Sequence, residues 1–225
     1  MPRPQSFTRF RAAEDPRNVP YPIAKRILDK LVAAALLAVL TPVVLVLLAL
    51  MAIDMLVARR DRGGFVYGEQ RISQGRAFEL LKFRTLRTDA LAEMRRSGGH
   101  ARLSEADPAN LTWAARRVLK PWYLDEVPQF LNVLRGEISL VGPRPWPLSL
   151  VERQVAEGHD YRNLVMAGLT GPAQVTKGTG VLYADLDQQY VARCRNLGGW
   201  ALVRYDLGIL LETLGVMARG EGLNY

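Results

Sequence analysis

LVAAALLAVLTPVVLVLLALMAI, Leu31 to Ile53, is the stretch on which the reading of the fold turns. It contains no charged residue, and Lys30 and Asp54 bound it. At roughly 1.5 Å per residue, a helix of this length matches a hydrocarbon core about 30 Å thick. Two features argue against a simple crossing. Pro42 stands mid-run, where it removes a helical hydrogen bond and crowds the preceding turn. Thr41, just before it, carries a hydroxyl able to satisfy a freed carbonyl. Both flanks are also basic, with Lys25, Arg26 and Lys30 before the run and Arg59, Arg60 and Arg62 after it. Lysine and arginine favour the cytoplasmic side, and here both ends make that claim. A re-entrant helix, bent at Thr41-Pro42 and returning to the face it entered, satisfies both flanks. A spanning helix with an internal proline is the alternative, since proline is common in such helices.

Working outward, Met1 to Pro22 is rich in Arg and Pro and lacks periodicity, which reads as a flexible basic arm. It is not a secretory signal, because the apolar run starts late and has no small-residue cleavage site. The expected organisation is therefore an arm at 1–22, a membrane helix at 23–60 and a cytoplasmic domain at 61–225. Composition supports a folded domain, with 49% hydrophobic and 23% charged residues. The formal charge of +8 points to an anionic partner: nucleic acid, an acidic lipid surface or a phosphorylated substrate. The charges are scattered and no nucleic-acid motif accompanies them, which argues against the first. One cysteine, Cys194, excludes an intramolecular disulfide. With only His100 and His159 beside it there is no zinc-type cluster, so a metal would be oxygen-ligated, such as Mg²⁺.

Beyond the helix, Phe65 to Tyr67 and Ala77 to Phe83 read as strands around the turn Ser73-Gln74-Gly75. Lys82 and Arg84, two apart, would share a strand face and could converge on one anion. Asp89 to Gly98 reads as a helix, His100 to Asn110 as a polar connector, and Thr112 to Leu119 as a helix stopped by Pro121. The amphipathic stretches Ala109 to Leu119 and Leu202 to Ala218 could lie in a membrane interface or pack as ordinary helices. Asp125 and Glu126 precede Val127, Pro128 and the amphipathic Gln129 to Leu134. Pro128 suits a first helical turn and would put the pair at a helix N-terminus, where the dipole favours negative charge. A surface cap is the plain reading of such a pair. Chemically, neighbours on a helix cannot straddle a sugar as glycosidase carboxylates do. They can serve one centre from one side, one attacking phosphorus while the other holds Mg²⁺. Arg144, held between Pro143 and Pro145, is a rigid cation suited to that chemistry.

LDEVPQFLNVLRGEISLVGPRP, Leu124 to Pro145, resembles the signature of the bacterial sugar transferases known as monotopic phosphoglycosyl transferases. The likeness extends to KRILDK at Lys25 to Lys30, to Thr41-Pro42, to YGEQRISQGRAFELLKFRTL and to AGLTGPAQVTKG at Ala167 to Gly178. It implies an α+β fold: a re-entrant membrane helix and a mostly helical cytoplasmic catalytic domain with a small β-hairpin and interfacial helices. It implies transfer of a sugar 1-phosphate from a nucleotide diphosphate sugar, usually a UDP-sugar, to undecaprenyl or another polyprenyl phosphate, releasing UMP. That is a first membrane step of exopolysaccharide or other glycoconjugate synthesis, at the cytoplasmic face of the bacterial inner membrane. The resemblance maps the nucleophile onto Asp125, the Mg²⁺ ligand onto Glu126 and a phosphate contact onto Arg144. Lys82, Arg84, Lys120, Gln174 and Lys177 are the further candidate contacts for substrate.

Three departures stand out. Lys120-Pro121-Trp122-Tyr123 replaces the family's usual Arg-Lys-(Thr/Ser)-Ser, leaving a point charge where a guanidinium fork is common. Ala167 stands where a proline usually opens the Gly-Ile-Thr-Gly turn, and Lys177-Gly178 replaces a common Gly-Arg. These loops bear on the donor sugar and base. Anionic lipids are the expected further partner and nucleic acid is not one. The oligomeric state, including a homodimer, stays open. A catalytically silent, membrane-anchored scaffold for polysaccharide assembly is the competing reading.

Overall fold

The computed structural model describes residues 16–58, 61–97, 101–176 and 182–219. Most of the expected basic arm, Arg59-Arg60 of the basic flank, His100 and Lys177 lie outside the described residues. The chain is mixed, mostly helical, and forms two units, which α1 (Ile23–Val57) enters in turn. This helix is long and apolar enough to cross a membrane, and it leaves Ile27, Leu31, Val39, Leu45, Val46 and Ile53 exposed. Pro42 lies inside it. The Thr41 hydroxyl donates to the Leu37 carbonyl at 2.8 Å. The carbonyl that Pro42 deprives of its partner is one residue further on, at Ala38, so Thr41 reinforces its own turn instead of filling the vacancy expected of it.

One unit comprises 16–33, 70–79, 132–176 and 182–219. Its sheet pairs β3 (Ser139–Val141) in parallel with β4 (Gly168–Thr170) across a crossover carrying α5 (Leu148–Ala156). Ser139 pairs with Gly168 and Val141 with Thr170. The backbones meet so closely past Val141 that a Cβ on Gly168 would lie 2.0 Å from the Gly142 nitrogen. Glycine is the residue that allows this approach. Ala167, where a proline was the expected type, uses the N–H that proline lacks: it donates to Ser73 Oγ at 3.1 Å. After α6 (Pro172–Val175) come α7 (Tyr183–Asn196) and α8 (Gly199–Ala218).

The start of α1 is embedded in this unit by polar bonds. Lys25, Asp29, Tyr190 and Asp206 are all at most 4% exposed. Lys25 Nζ donates to the Val141 carbonyl at 3.1 Å and pairs with Asp206. Tyr190 donates to the same carbonyl at 2.9 Å and to Asp206 at 3.0 Å. Ser139 donates to Asp29 at 2.6 Å. A buried charge is tolerable only with such partners. A second buried pair joins Arg162 to Asp187 at 2.7 Å, with the guanidinium 4.0 Å above the Trp146 ring. Helix α8 buries Leu202, Val203 and Ile209 and exposes Trp200, Leu207, Leu211, Leu214 and Met217.

The other unit comprises 34–58, 61–69, 80–97 and 101–131. Leu47 and Met51 of α1 pack with Phe83, Ala114, Ala115, Leu119 and Val127. Near its C-terminal end, Asp54 accepts the Ala114 N–H at 2.9 Å, satisfying a donor at the start of the next helical segment. β1 (Val66–Ser73) and β2 (Arg76–Phe83) form a hairpin that runs through both units. Its turn residues Gln74 and Gly75 have φ of 45° and 70°, the primed geometry that suits strand twist. The first strand is longer than expected, continuing through Gly68 and Glu69 to the turn. α2 (Thr88–Ser97) fills the predicted helix, and the polar connector forms α3 (Ala101–Glu105) followed by a 3₁₀ turn at Pro108–Asn110. α4 (Gln129–Arg135) passes from this unit into the first.

Candidate active site

The segment ahead of the carboxylate pair is wound more loosely than an α-helix. Ala115–Leu119 is a π-helical turn, closed by Lys120 N–H donating to the Ala115 carbonyl at 2.9 Å. Such turns concentrate at functional sites because the extra residue re-aims its neighbours. Tyr123 then takes a left-handed backbone with φ of 54°, which costs a non-glycine residue of order 1 kcal/mol or more. Leu124–Glu126 follows as a 3₁₀ turn. The pair therefore sits on its own turn, one step ahead of α4, whose first residue is Gln129. Pro128 precedes that helix and does not occupy its first turn. Nor is Asp125 a surface cap, since it is only 2% exposed.

Two lysines face the pair. Lys82 Nζ lies 3.4 Å from Glu126 Oε1, and Lys120 Nζ lies 3.8 Å from Asp125 Oδ2. Burial, then the neighbouring Glu126, push the Asp125 carboxyl up to about 6, against the pull of Lys120 and Lys82. Burial lowers Lys82, but Glu126, Glu69, Asp125 and Glu105 together outweigh it and leave its pKa raised. Asp125 thus stays ionised at neutral pH, with its Lys120 counterion at 3.8 Å, beyond hydrogen-bonding range. A carboxylate in that state is a competent nucleophile.

The two cations expected to converge on one anion do not. Lys82 turns to Glu126, whereas Arg84 is 3% exposed and spends its guanidinium on backbone. It donates to the carbonyls of Gly64 and Leu86, each at 2.8 Å, and of Asp61. Strand β2 ends at Phe83, so Arg84 no longer follows the strand alternation that the expectation assumed.

Three side chains went unrecognised in the sequence. Glu105 receives Lys120 at 2.6 Å and the Thr85 hydroxyl at 2.5 Å. Tyr67 donates to Glu69 at 3.0 Å, and both carboxylates act on Lys82. Only an acidic residue in a polar connector hinted at Glu105, and charge alone does not mark a site. Among the described residues no group of three His, Cys, Asp or Glu side chains is placed to hold a metal.

In the unit built on β3 and β4, two candidates follow the carboxyl ends of the parallel pair, one after each strand. Arg144 is exposed between the buried Pro143 and Pro145. Gln174, in α6, has both amide atoms buried without a hydrogen-bond partner. Loops beyond the carboxyl ends of parallel strands are where such sheets bind ligands.

Comparison with known proteins identifies the family of the chain. The family model described as bacterial sugar transferase matches residues 20–220. The chain is 32% identical over 210 residues to the UDP-galactose-lipid carrier transferase of Erwinia amylovora, covering 88% of this chain and 41% of that one. It is 33% identical over 214 residues to the exopolysaccharide production protein ExoY of Rhizobium meliloti, covering 89% and 88%. It is 34% identical over 201 residues to the UDP-glucose:undecaprenyl-phosphate glucose-1-phosphate transferase of Caulobacter vibrioides, covering 85% and 68%. The chain thus spans about two fifths of the Erwinia protein and most of the ExoY protein. With the match running through the helix, the hairpin, the carboxylate turn and the parallel pair, the chain belongs to the bacterial sugar transferase family.

Proposed function

We propose that the protein transfers a sugar 1-phosphate from a UDP-sugar to undecaprenyl phosphate, with Asp125 as the nucleophile. The observation that carries this is the Asp125 carboxylate: buried, pushed up to about 6, and joined to Lys120 only by a long ion pair of 3.8 Å. In the first step a carboxylate oxygen attacks the phosphorus that bears the sugar. The new O–P bond forms as the bond to the UMP oxygen breaks, and UMP leaves with the electron pair. In the second step a phosphate oxygen of the lipid carrier attacks the same phosphorus and releases the Asp125 carboxylate. Lys120 and Lys82 offset the charge gathering on the phosphoryl oxygens. Relatives named for UDP-galactose and for UDP-glucose with undecaprenyl phosphate support the substrate class.

A divalent cation fits here without a three-residue cage. Mg²⁺ keeps several waters and binds through one or two carboxylates plus substrate phosphates. Glu126, with its side chain 35% exposed next to Asp125, is the residue that would hold it. When bound, Mg²⁺ neutralises phosphate oxygens and makes the phosphorus more electrophilic.

The membrane arrangement proposed for α1 is re-entrant. Lys25 and Asp29 at one end and Asp54 near the other are each bonded to residues outside the helix. Among the described residues α1 is the one helix long and apolar enough to cross. The basic residues on both flanks of the apolar run favour the cytoplasmic face at either end, which supports a re-entrant path for α1. Trp113 and Trp122 on either side of the π-helical turn, and the apolar stripe of α8, are exposed as interfacial groups would be.

The test is UMP release from purified protein with Mg²⁺, undecaprenyl phosphate and a UDP-sugar. Asp125→Asn is expected to lower the rate by about 10³-fold or more, as loss of a nucleophile does. Survival of full activity in that variant would sink the nucleophile assignment, whereas no UMP release from the unaltered protein would favour the scaffold reading. Trapping radiolabelled sugar phosphate on the protein separates covalent transfer from direct displacement.

A further inference from the structure

Glu105, the last residue of α3, reaches the site from a stretch that resembles nothing in the signature. Its side chain is 8% exposed. One oxygen accepts the hydroxyl of Thr85, a residue with no exposed surface, and the other accepts the Lys120 ammonium at 2.6 Å. The carboxylate is therefore held by the core and holds the lysine in turn. Lys120 sits at the mouth of the site with 36% of its side chain exposed. Its Nζ stands 3.8 Å from Asp125 Oδ2, beyond hydrogen-bonding range.

That spacing needs a cause. An ammonium is a point charge on a flexible stem and has no direction of its own, unlike a planar guanidinium. Without a fixed partner Lys120 has two resting places. It can extend into water, where it does nothing for a phosphoryl group. It can also close on Asp125 as a hydrogen-bonded ion pair, which ties up the oxygen that must attack. Glu105 is a stronger competitor for the ammonium than water, because charge-assisted bonds are about twice as strong as neutral ones. It occupies one of the three N–H groups and leaves the others for a third group.

We propose that Glu105 is a positioning residue that parks the Lys120 ammonium beside, but not on, Asp125, so that its remaining N–H groups meet a phosphoryl oxygen of the nucleotide-sugar donor. The proposal rests on Asp125 being the nucleophile. It assigns Glu105 no contact with substrate. Its effect passes through Lys120, and Thr85 is the tether that keeps the carboxylate in place.

The experiment is a double-mutant cycle on the full chain in detergent or vesicles. UMP release is followed with Mg²⁺, undecaprenyl phosphate and the fastest donor among UDP-glucose, UDP-galactose and UDP-N-acetylgalactosamine. Glu105→Gln is expected to lower kcat about 10- to 100-fold with the donor KM changed less than about threefold, as for a group felt in the transition state. Glu105→Asp, which keeps the charge on a shorter stem, is expected to recover part of the loss and guards against a folding defect in the glutamine variant. In a Lys120→Met background, Glu105→Gln should cost no more than about twofold further, because the group it acts through is gone. An equal loss in both backgrounds, or a raised KM with kcat kept, overturns the proposal. The two readings fail separately. An active Asp125→Asn with a coupled cycle removes the nucleophile and leaves the Glu105–Lys120 link. An inactive Asp125→Asn with an additive cycle removes only the role of Glu105.

Discussion

At the level of single residues, burial decides the chemistry more than identity does. Asp125 and Asp187 are both nearly inaccessible, and burial pushes each carboxyl up to about 6. Their expected consequences differ. Asp125 must be ionised to attack, so kcat/KM should fall as pH drops through about 6, which a pH–rate profile in the free-enzyme limit will show. Asp187 acts on stability. Its folded pKa lies above the unfolded value, so the folded state binds the extra proton between roughly pH 4 and 6, and stability falls as pH rises through that window. The loss is on the order of 3 kcal/mol at 1.4 kcal/mol per pKa unit, the Arg162 guanidinium having only partly offset the burial. Denaturation at pH 4.5 and pH 7, each on the order of those limits, should show the difference in wild type and a smaller one in Asp187→Asn.

At the level of elements, the lesson of Arg84 is that a cation in a signature can serve the frame. Its guanidinium holds the carbonyls of Gly64, Leu86 and Asp61. Lysine cannot match that fork, so Arg84→Lys should cost about 2–3 kcal/mol through orphaned buried carbonyls. A lowered thermal midpoint with a near-normal donor KM is the expected result; a selective rise in KM would return Arg84 to the substrate. The pairing of β3 with β4 makes a second point. Gly168→Ala puts a methyl group where the Gly142 nitrogen lies 2.0 Å away and should cost about 3 kcal/mol, seen as a lower midpoint in circular dichroism. The hairpin turn at Gln74-Gly75 and the helix at Thr88–Ser97 were legible because their signals are local. The parallel pair was not, since three-residue strands separated by α5 leave no periodicity to read. The carboxylate pair stood out as a candidate but was misplaced as a cap: no local rule reports the left-handed Tyr123 or the π-helical turn that precede the buried Asp125. Glu105 was invisible because its partners, Thr85 and Lys120, are distant in sequence.

At the level of the whole molecule, α1 belongs as much to the folded body as to the lipid. Its apolar side is open along Val39, Leu45, Val46 and Ile53, while Leu47 and Met51 are core. Cysteines placed at Arg17 and Arg62 in a Cys194→Ser background should both react with a membrane-impermeant reagent from the cytoplasmic side. Labelling from opposite sides would make α1 a spanning helix. The re-entrant path proposed for α1 carries one more consequence, for lipid thickness. A crossing helix must match the hydrocarbon slab, and mismatch costs fractions of a kcal/mol per Å. On the proposed re-entrant path the helix would never reach the far headgroups, so slab thickness would not set its depth. Turnover in vesicles should then be nearly indifferent to acyl length, changing less than about twofold from roughly 14 to 22 carbons. The same enzyme would be portable between thin and thick membranes in a way that a crossing anchor would not.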